Sequence, residues 1–221
     1  MRIYLPLLIL LTLSSCISDD CGFSGGYVFE IPATLSPARS MYHIGDTITV
    51  SSMFSNQVYD RGSEKTYLLE DYLFYPRSSF TRLDTLGIDT IEVVTTEHFD
   101  FIISEEFDYN LDGAISVGHI LLGQFLYQDD AYKLEYSLVP KKKGLYMISF
   151  SSGLFTKRNT QEFPNRCKNA TLSTWTVLND GAANNDILLL DAVEEGWRRY
   201  YNEPNLNENF HQLGRFVFEV Q

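Results

Sequence analysis

The sequence predicts an all-β fold, a β-sandwich with one C-terminal helix before its last strand. Runs of alternating apolar and polar residues recur along most of the chain, the period-two pattern of strands half buried in a sheet. Only Asp186 to Tyr201 carries the spacing of an amphipathic helix. Helices do not recur between the strands, so the layers are sheet on sheet rather than a parallel sheet wrapped in helices.

The elements follow in order. Tyr27 to Ile31 opens the domain as a short strand, with Pro32 directly after it and Pro37 further on. Gly45-Asp46 makes a turn, after which Thr47 to Phe54 places Ile48, Val50 and Phe54 on one face and Thr47, Thr49 and Ser51 on the other. Further strands are expected at Tyr72 to Leu83, Thr90 to Thr95, Phe99 to Ser104, Ile115 to Tyr127, Tyr132 to Val139, Leu145 to Ser151 and Arg215 to Val220. In the clearest of them Tyr132, Leu134, Tyr136 and Leu138 face inward, and Lys133, Glu135 and Ser137 face outward. Residues 153–184 are polar and Asn-rich and read as irregular. The helix then places Ile187, Leu190, Val193, Trp197 and Tyr201 on one stripe, with Glu194 and Glu195 four positions before Arg198 and Arg199. Gly196 weakens it by about 1 kcal/mol relative to Ala, and Pro204 stops it. The expected organisation is a signal segment at 1–15, a Gly, Ser and Asp tether at 16–26, and one sandwich domain at 27–221 with an irregular and helical excursion at 153–214.

Two stretches sharpen the fold class. Gly45-Asp46-Thr47-Ile48-Thr49-Val50 resembles the second strand of an immunoglobulin-like domain, and Gly144-Leu145-Tyr146-Met147-Ile148 resembles its tyrosine-corner strand. Ile148 stands where antibody domains carry a cysteine, so the resemblance implies the sandwich without its intersheet disulfide. The two stretches lie further apart than in a compact immunoglobulin domain, which leaves either insertions between them or a different sandwich topology.

The N-terminus carries an address. Arg2, the apolar run Ile3 to Leu13, and Leu13-Ser14-Ser15-Cys16 form a secretory signal that ends in small residues before a cysteine. The run falls short of the ~20 apolar residues a spanning helix needs. Leu13-Ser14-Ser15-Cys16 matches the lipobox of bacterial lipoproteins, and Ser18-Asp19-Asp20 resembles the tag that sends some Gram-negative lipoproteins to the outer leaflet. The resemblance implies acylation at Cys16 and a place in the outer membrane, at the cell surface if the tag is read. A solvated tether accounts for Ser18, Asp19 and Asp20 equally simply.

Composition bounds the partners. With 17 Lys plus Arg against 29 Asp plus Glu and a net charge of −12, the chain lacks the basic balance that nucleic acid or anionic headgroups demand. Of the three cysteines, lipid claims Cys16, which leaves Cys21 and Cys167 in an oxidising compartment. They either pair or stand as two thiols.

Chemical motifs are sparse. Asp108-Tyr109-Asn110-Leu111-Asp112-Gly113 sets oxygen ligands at Asp108, Asn110 and Asp112 before a glycine, like the start of a calcium loop, but His119 stands where the closing Glu belongs. A hairpin turn at Leu111-Asp112-Gly113-Ala114 explains the same residues. Gly22-Phe23-Ser24-Gly25-Gly26 spells a nucleophile elbow but has no strand before it. His43, His98, His119 and His211 have no ligand spacing, and Glu105-Glu106 and Glu194-Glu195 are adjacent pairs unsuited to joint acid and base work. Trp175 and Tyr200 either stack on a glycan or protein partner or bury against the sandwich.

These features point to a lipid-anchored binding or structural module rather than an enzyme, with no cofactor expected unless calcium. Two other readings stand beside it: a pilin-like assembly subunit exchanging Arg215 to Val220 between copies, and a glycan hydrolase using carboxylates from separate strands.

Overall fold

A computed structural model of the chain describes residues 26–84, 94, 96–115, 118–153, 162–167, 170–181 and 214–221. They form two facing sheets. The first contains β1 (Tyr27–Ser36), β3 (Ile48–Ser55), β4 (Gln57–Asp60), β5 (Lys65–Leu68), β7 (Phe99–Ile103), β10 (Leu126–Gln128), β11 (Ala131–Pro140) and β13 (Leu172–Leu178). Its order is β10-β11-β3-β1-β4-β5, with β13 beside β1 and β7 beside β11. The second sheet runs β2 (Met41–Tyr42), β14 (Arg215–Val220), β12 (Gly144–Gly153), β6 (Tyr75–Arg82), β9 (Gly118–Gly123) and β8 (Tyr109–Ile115).

The alternation read from the sequence builds the core. Tyr132, Leu134, Tyr136 and Leu138 of β11 and Ile48 and Val50 of β3 turn inward, as do Phe80 of β6, Tyr146, Ile148 and Phe150 of β12, and Phe216 and Phe218 of β14. These side chains belong to one contiguous cluster. Each large side chain fully buried there contributes about 1.5–3 kcal/mol of transfer free energy. Rings close the gap between the sheets: Phe99 of β7 meets Tyr146 of β12 edge-on with centroids 4.8 Å apart.

The sandwich reading holds, and so does the corner. Tyr146 is buried, and its hydroxyl donates to the Lys142 carbonyl at 3.1 Å and to that of Lys143 at 3.4 Å, the backward bond that defines a tyrosine corner. Ile48 and Val50 lie in one sheet and Ile148 in the other, and all three are buried.

Several expectations are corrected. Pro32 does not end the first strand, which continues to Ser36. It falls where β1 has left β4, paired at Phe29, and has not yet met β3, paired from Thr34, so a missing N–H costs little there. Its carbonyl accepts the Ser52 hydroxyl at 2.5 Å. Residues 153–184 are not wholly irregular, because Leu172–Leu178 forms a parallel strand against β1 over seven partners. Threonine hid it from a hydrophobicity pattern: Thr176 occupies a fully buried position between Leu172 and Leu178. Ile115 to Tyr127 is not one strand but β9 and β10, preceded by β8, and the chain reverses between Ile115 and Gly118 rather than at Leu111 to Ala114. The expected start at Tyr72 moves to Tyr75. The β4–β5 hairpin, too short to show periodicity, is held by the Asp60 carboxylate, which accepts from the backbone of Val28, Gly62 and Ser63 and from the Ser63 hydroxyl.

The expected helix at Asp186 to Tyr201 lies outside the described residues, among which there is no α-helix. Most of Thr90 to Thr95 also lies outside them.

Candidate binding cleft

The outward face of the second sheet is built by the residues that alternate with its core. On β6, Pro76, Ser78 and Phe80 are buried, so Tyr75 and Arg77 face out. Register carries this across the sheet: Arg77 lies opposite Leu122 of β9, and Leu122 opposite Asn110 of β8. Tyr75, Pro76, Arg77, Asp108, Asn110, Leu122, Gly123 and Gln124 enclose a cleft of about 440 Å³. Asp108 and Asn110 are exposed, while Tyr75, Arg77, Leu122 and Gln124 are half-buried.

The cleft is held from below. Tyr109, between Asp108 and Asn110, turns inward, and its hydroxyl lies 2.8 Å from the Oγ of Ser78, the neighbour of Arg77. The Tyr136 hydroxyl, reaching from β11 in the opposite sheet, donates to the same Oγ at 2.7 Å. All three residues are buried. Burial pushes the Tyr109 and Tyr136 phenols well above their ordinary range, so the chain of hydroxyls stays neutral and bonded. The amide of Gln124 donates to the Asp108 carbonyl at 2.7 Å. At Gly123 a Cβ would lie 1.9 Å from that same carbonyl oxygen and 2.5 Å from the Tyr109 Cα. Only glycine lets β8 and β9 approach this closely.

The residues singled out from sequence fare differently. Asp108 and Asn110 meet in this cleft, but on an extended segment: Asn110 and Asp112 belong to β8, and a strand does not wrap its oxygens around an ion as a calcium loop does. Among the described residues no group of three His, Cys, Asp or Glu is placed to hold a metal ion. Trp175 is half-buried on β13, opposite Glu30 of β1. The Arg61 guanidinium covers its ring at 4.1 Å and bonds the Glu30 carboxylate at 3.1 Å, so that face is occupied by its own chain. Cys167 is disulfide-bonded. Cys16, Ser18, Asp19, Asp20, Cys21 and Tyr200 lie outside the described residues. Tyr75 and Arg77 lie on β6, and Leu122 and Gln124 on and just past β9, so only strand pairing unites them and no local motif reveals them in the sequence.

A second cleft, about 580 Å³, opens at the end of the same sheet between Arg82, Asp84, Lys143 to Leu145 and Glu219 to Gln221. Four of its lining side chains already bond one another in pairs: Arg82 forks onto Asp84 at 2.7 and 3.3 Å, and the Gln221 amide donates to Glu219 at 3.0 Å. A third, about 590 Å³, lies by Gln57, Lys65 to Leu68 and Pro164 to Cys167.

No protein-family model matches the chain, and no curated protein matches it. Among solved structures it is similar to type II cohesins of Acetivibrio cellulolyticus. The cohesin dyad of the adaptor ScaA scaffoldin aligns over 66% of this chain at 9% identity and a TM-score of 0.32, and the chain spans 46% of the dyad's length. A type II cohesin domain of the cellulosome aligns over 66% of this chain and 91% of its own, at 9% identity and a TM-score of 0.31.

Proposed function

We propose that this chain is a lipid-anchored module of the bacterial cell envelope that binds a ligand rather than transforming one. The observation that carries the binding reading is the lining of the cleft on β6, β8 and β9: ring, guanidinium, two carboxamides and a single carboxylate, Asp108, on strands locked from beneath. Hydrolysis of a glycoside ordinarily takes two carboxylates flanking the bond, and this cleft supplies one. The cleft beside Glu219 holds two, but Asp84 is tied to Arg82. The assembly-subunit reading meets a different obstacle. Arg215–Val220 pairs with β12 on one side and β2 on the other within its own chain, burying Phe216, Val217, Phe218 and Val220, so a strand donated to another copy would first leave its own core.

The anchor reading rests on the sequence Leu13-Ser14-Ser15-Cys16. Metabolic labelling with an alkyne fatty acid, followed by fractionation, tests it. The wild-type chain should carry the label and sediment with membranes after a high-salt wash, and Cys16→Ala should lose both. A Cys16→Ala protein that remains in the salt-washed membranes would overturn the lipid anchor. Replacing Ser18, Asp19 and Asp20 with alanine should leave the label and reduce protease access on intact cells; unchanged access would remove the surface-export reading.

A further inference from the structure

We infer that the cleft between β6, β8 and β9 is a saccharide-binding site whose ligand is a short neutral glycan, with Tyr75 as stacking platform and Asp108, Asn110 and Gln124 as hydroxyl readers. The inference rests on the proposed reading of this cleft as a ligand site and names what it takes.

The volume, about 440 Å³, lies within the ~300–1,000 Å³ of sites that enclose small ligands. The lining then discriminates among ligand classes. An apolar ligand would strip water from the Asp108 carboxylate and the two carboxamides without returning hydrogen bonds, which weakens binding. An anion would face Asp108, and a cation would face Arg77, so neither charge sign is favoured. A peptide added as a strand needs a sheet's backbone edge, whereas the groups here are side chains on its outward face. A sugar ring satisfies the whole set. Its hydroxyls both donate and accept, as the carboxamides of Asn110 and Gln124 do, and they donate to the Asp108 carboxylate. Its apolar C–H face is suited to the half-buried ring of Tyr75.

Preorganisation supports the same class. Sugars bind weakly because each hydroxyl surrenders water for every bond it gains, so a site succeeds only if its own groups need little ordering. Here Asn110 sits on a strand in register with Leu122, Asp108 is tied through its carbonyl to Gln124, and the Ser78, Tyr109 and Tyr136 hydroxyls pin the floor.

The test is calorimetric titration of the full chain, in a polyoxyethylene detergent that carries no sugar, with cellobiose, maltose and N,N′-diacetylchitobiose. At least one should bind with a Kd between about 10 μM and 1 mM. Tyr75→Ala and Asn110→Ala should each weaken it about tenfold or more, Tyr75→Phe should retain most of the affinity, and Trp175→Ala should change nothing. Thermal midpoints of the variants show that the fold survives. No heat from any of the three at ~10 mM, or equal affinity in wild type and Tyr75→Ala, overturns the site. Because the binding is measured in detergent, its failure leaves the fractionation of Cys16→Ala untouched, and a lost anchor leaves the titration untouched.

Discussion

The backbone amide of Cys167 donates to the hydroxyl of Tyr27 at 2.9 Å. Tyr27 opens β1, its ring meets Phe163 edge-on at 5.1 Å, and its amide donates to the Thr171 carbonyl at 2.8 Å. The segment before β13 is therefore fastened to the first residues of the domain by ring, hydroxyl and backbone together. Cys167 is disulfide-bonded at this point.

The bond's partner is one of two cysteines outside the described residues, Cys16 or Cys21. β1 and β13 run parallel, with Tyr27 opposite Leu172 and Ala33 opposite Leu178. That pairing and the Cys167 to Tyr27 hydrogen bond hold the segment before β13 at the start of β1, and Tyr27 follows Cys21 by six residues in the sequence. We predict a Cys21–Cys167 bridge, which leaves the Cys16 sulfur for acylation. Peptide mapping of the unreduced protein should find that pair, and Cys167→Ser should lower the thermal midpoint by roughly 10 °C, as loss of about 5 kcal/mol implies at this chain length. A Cys16–Cys167 peptide would refute both the bridge and the lipid site at once.

Buried phenols make the fold sensitive to alkali. Burial raises the pKa of Tyr72 to about 12 and pushes Tyr109, Tyr132 and Tyr136 up as well. A group whose folded pKa exceeds its unfolded value of about 10 stabilises the fold fully below that pH, and the contribution fades as pH rises through the folded pKa. Stability should thus be flat to about pH 10 and then fall by up to ~1.4 kcal/mol per pH unit for each such tyrosine. Absorbance at 295 nm should show one class of tyrosines titrating freely and another ionising only in a cooperative step that coincides with loss of the β-sheet circular dichroism. A single broad titration with the dichroism intact would contradict the buried hydroxyl chain.

The corner offers a cleaner deletion. Tyr146→Phe keeps the ring against Phe99 and removes the hydroxyl that bonds the Lys142 and Lys143 carbonyls. Chemical denaturation should report a loss of about 1–2 kcal/mol with an unchanged slope. A loss no greater than ~0.3 kcal/mol, the noise of such measurements, would mean that water replaces the hydroxyl at no cost.

Tyr146 also marks how far the sequence could be read. Its place after a Lys-rich turn and a glycine is a local pattern, and alternation in β11, β12 and β14 is local too, so the sandwich and most of its core are visible in one dimension. β13 is not, because its inward Thr176 looks polar, and Pro32 misleads because the gap between β4 and β3 that excuses it exists only in the folded sheet. The cleft is invisible for a stronger reason. Asp108 and Asn110 draw notice for their spacing, but the spacing suggested an ion, whereas Tyr75 and Gln124 join them only through the pairing of β6, β9 and β8.

Gly123 joins fold and site in one residue. Its Cβ position is occupied by the Asp108 carbonyl and the Tyr109 Cα, both backbone atoms that cannot swing aside. Gly123→Ala must therefore push the start of β8 away from β9, which stretches the Gln124 to Asp108 hydrogen bond and pulls Tyr109 from Ser78. Overpacking of this kind costs about 1–3 kcal/mol, so the thermal midpoint should fall by roughly 3–10 °C while the chain still folds. The displacement also carries Asp108 and Asn110 off their places across β9 from Tyr75, and glycan affinity should fall further than in Asn110→Ala alone. Hydrogen exchange should locate the damage: faster exchange at the amides of Tyr109 and Gln124, with those of β11 and β14 unchanged. Exchange unchanged at Gln124 would mean that the two strands have room to spare, and that the close approach is not what shapes the cleft.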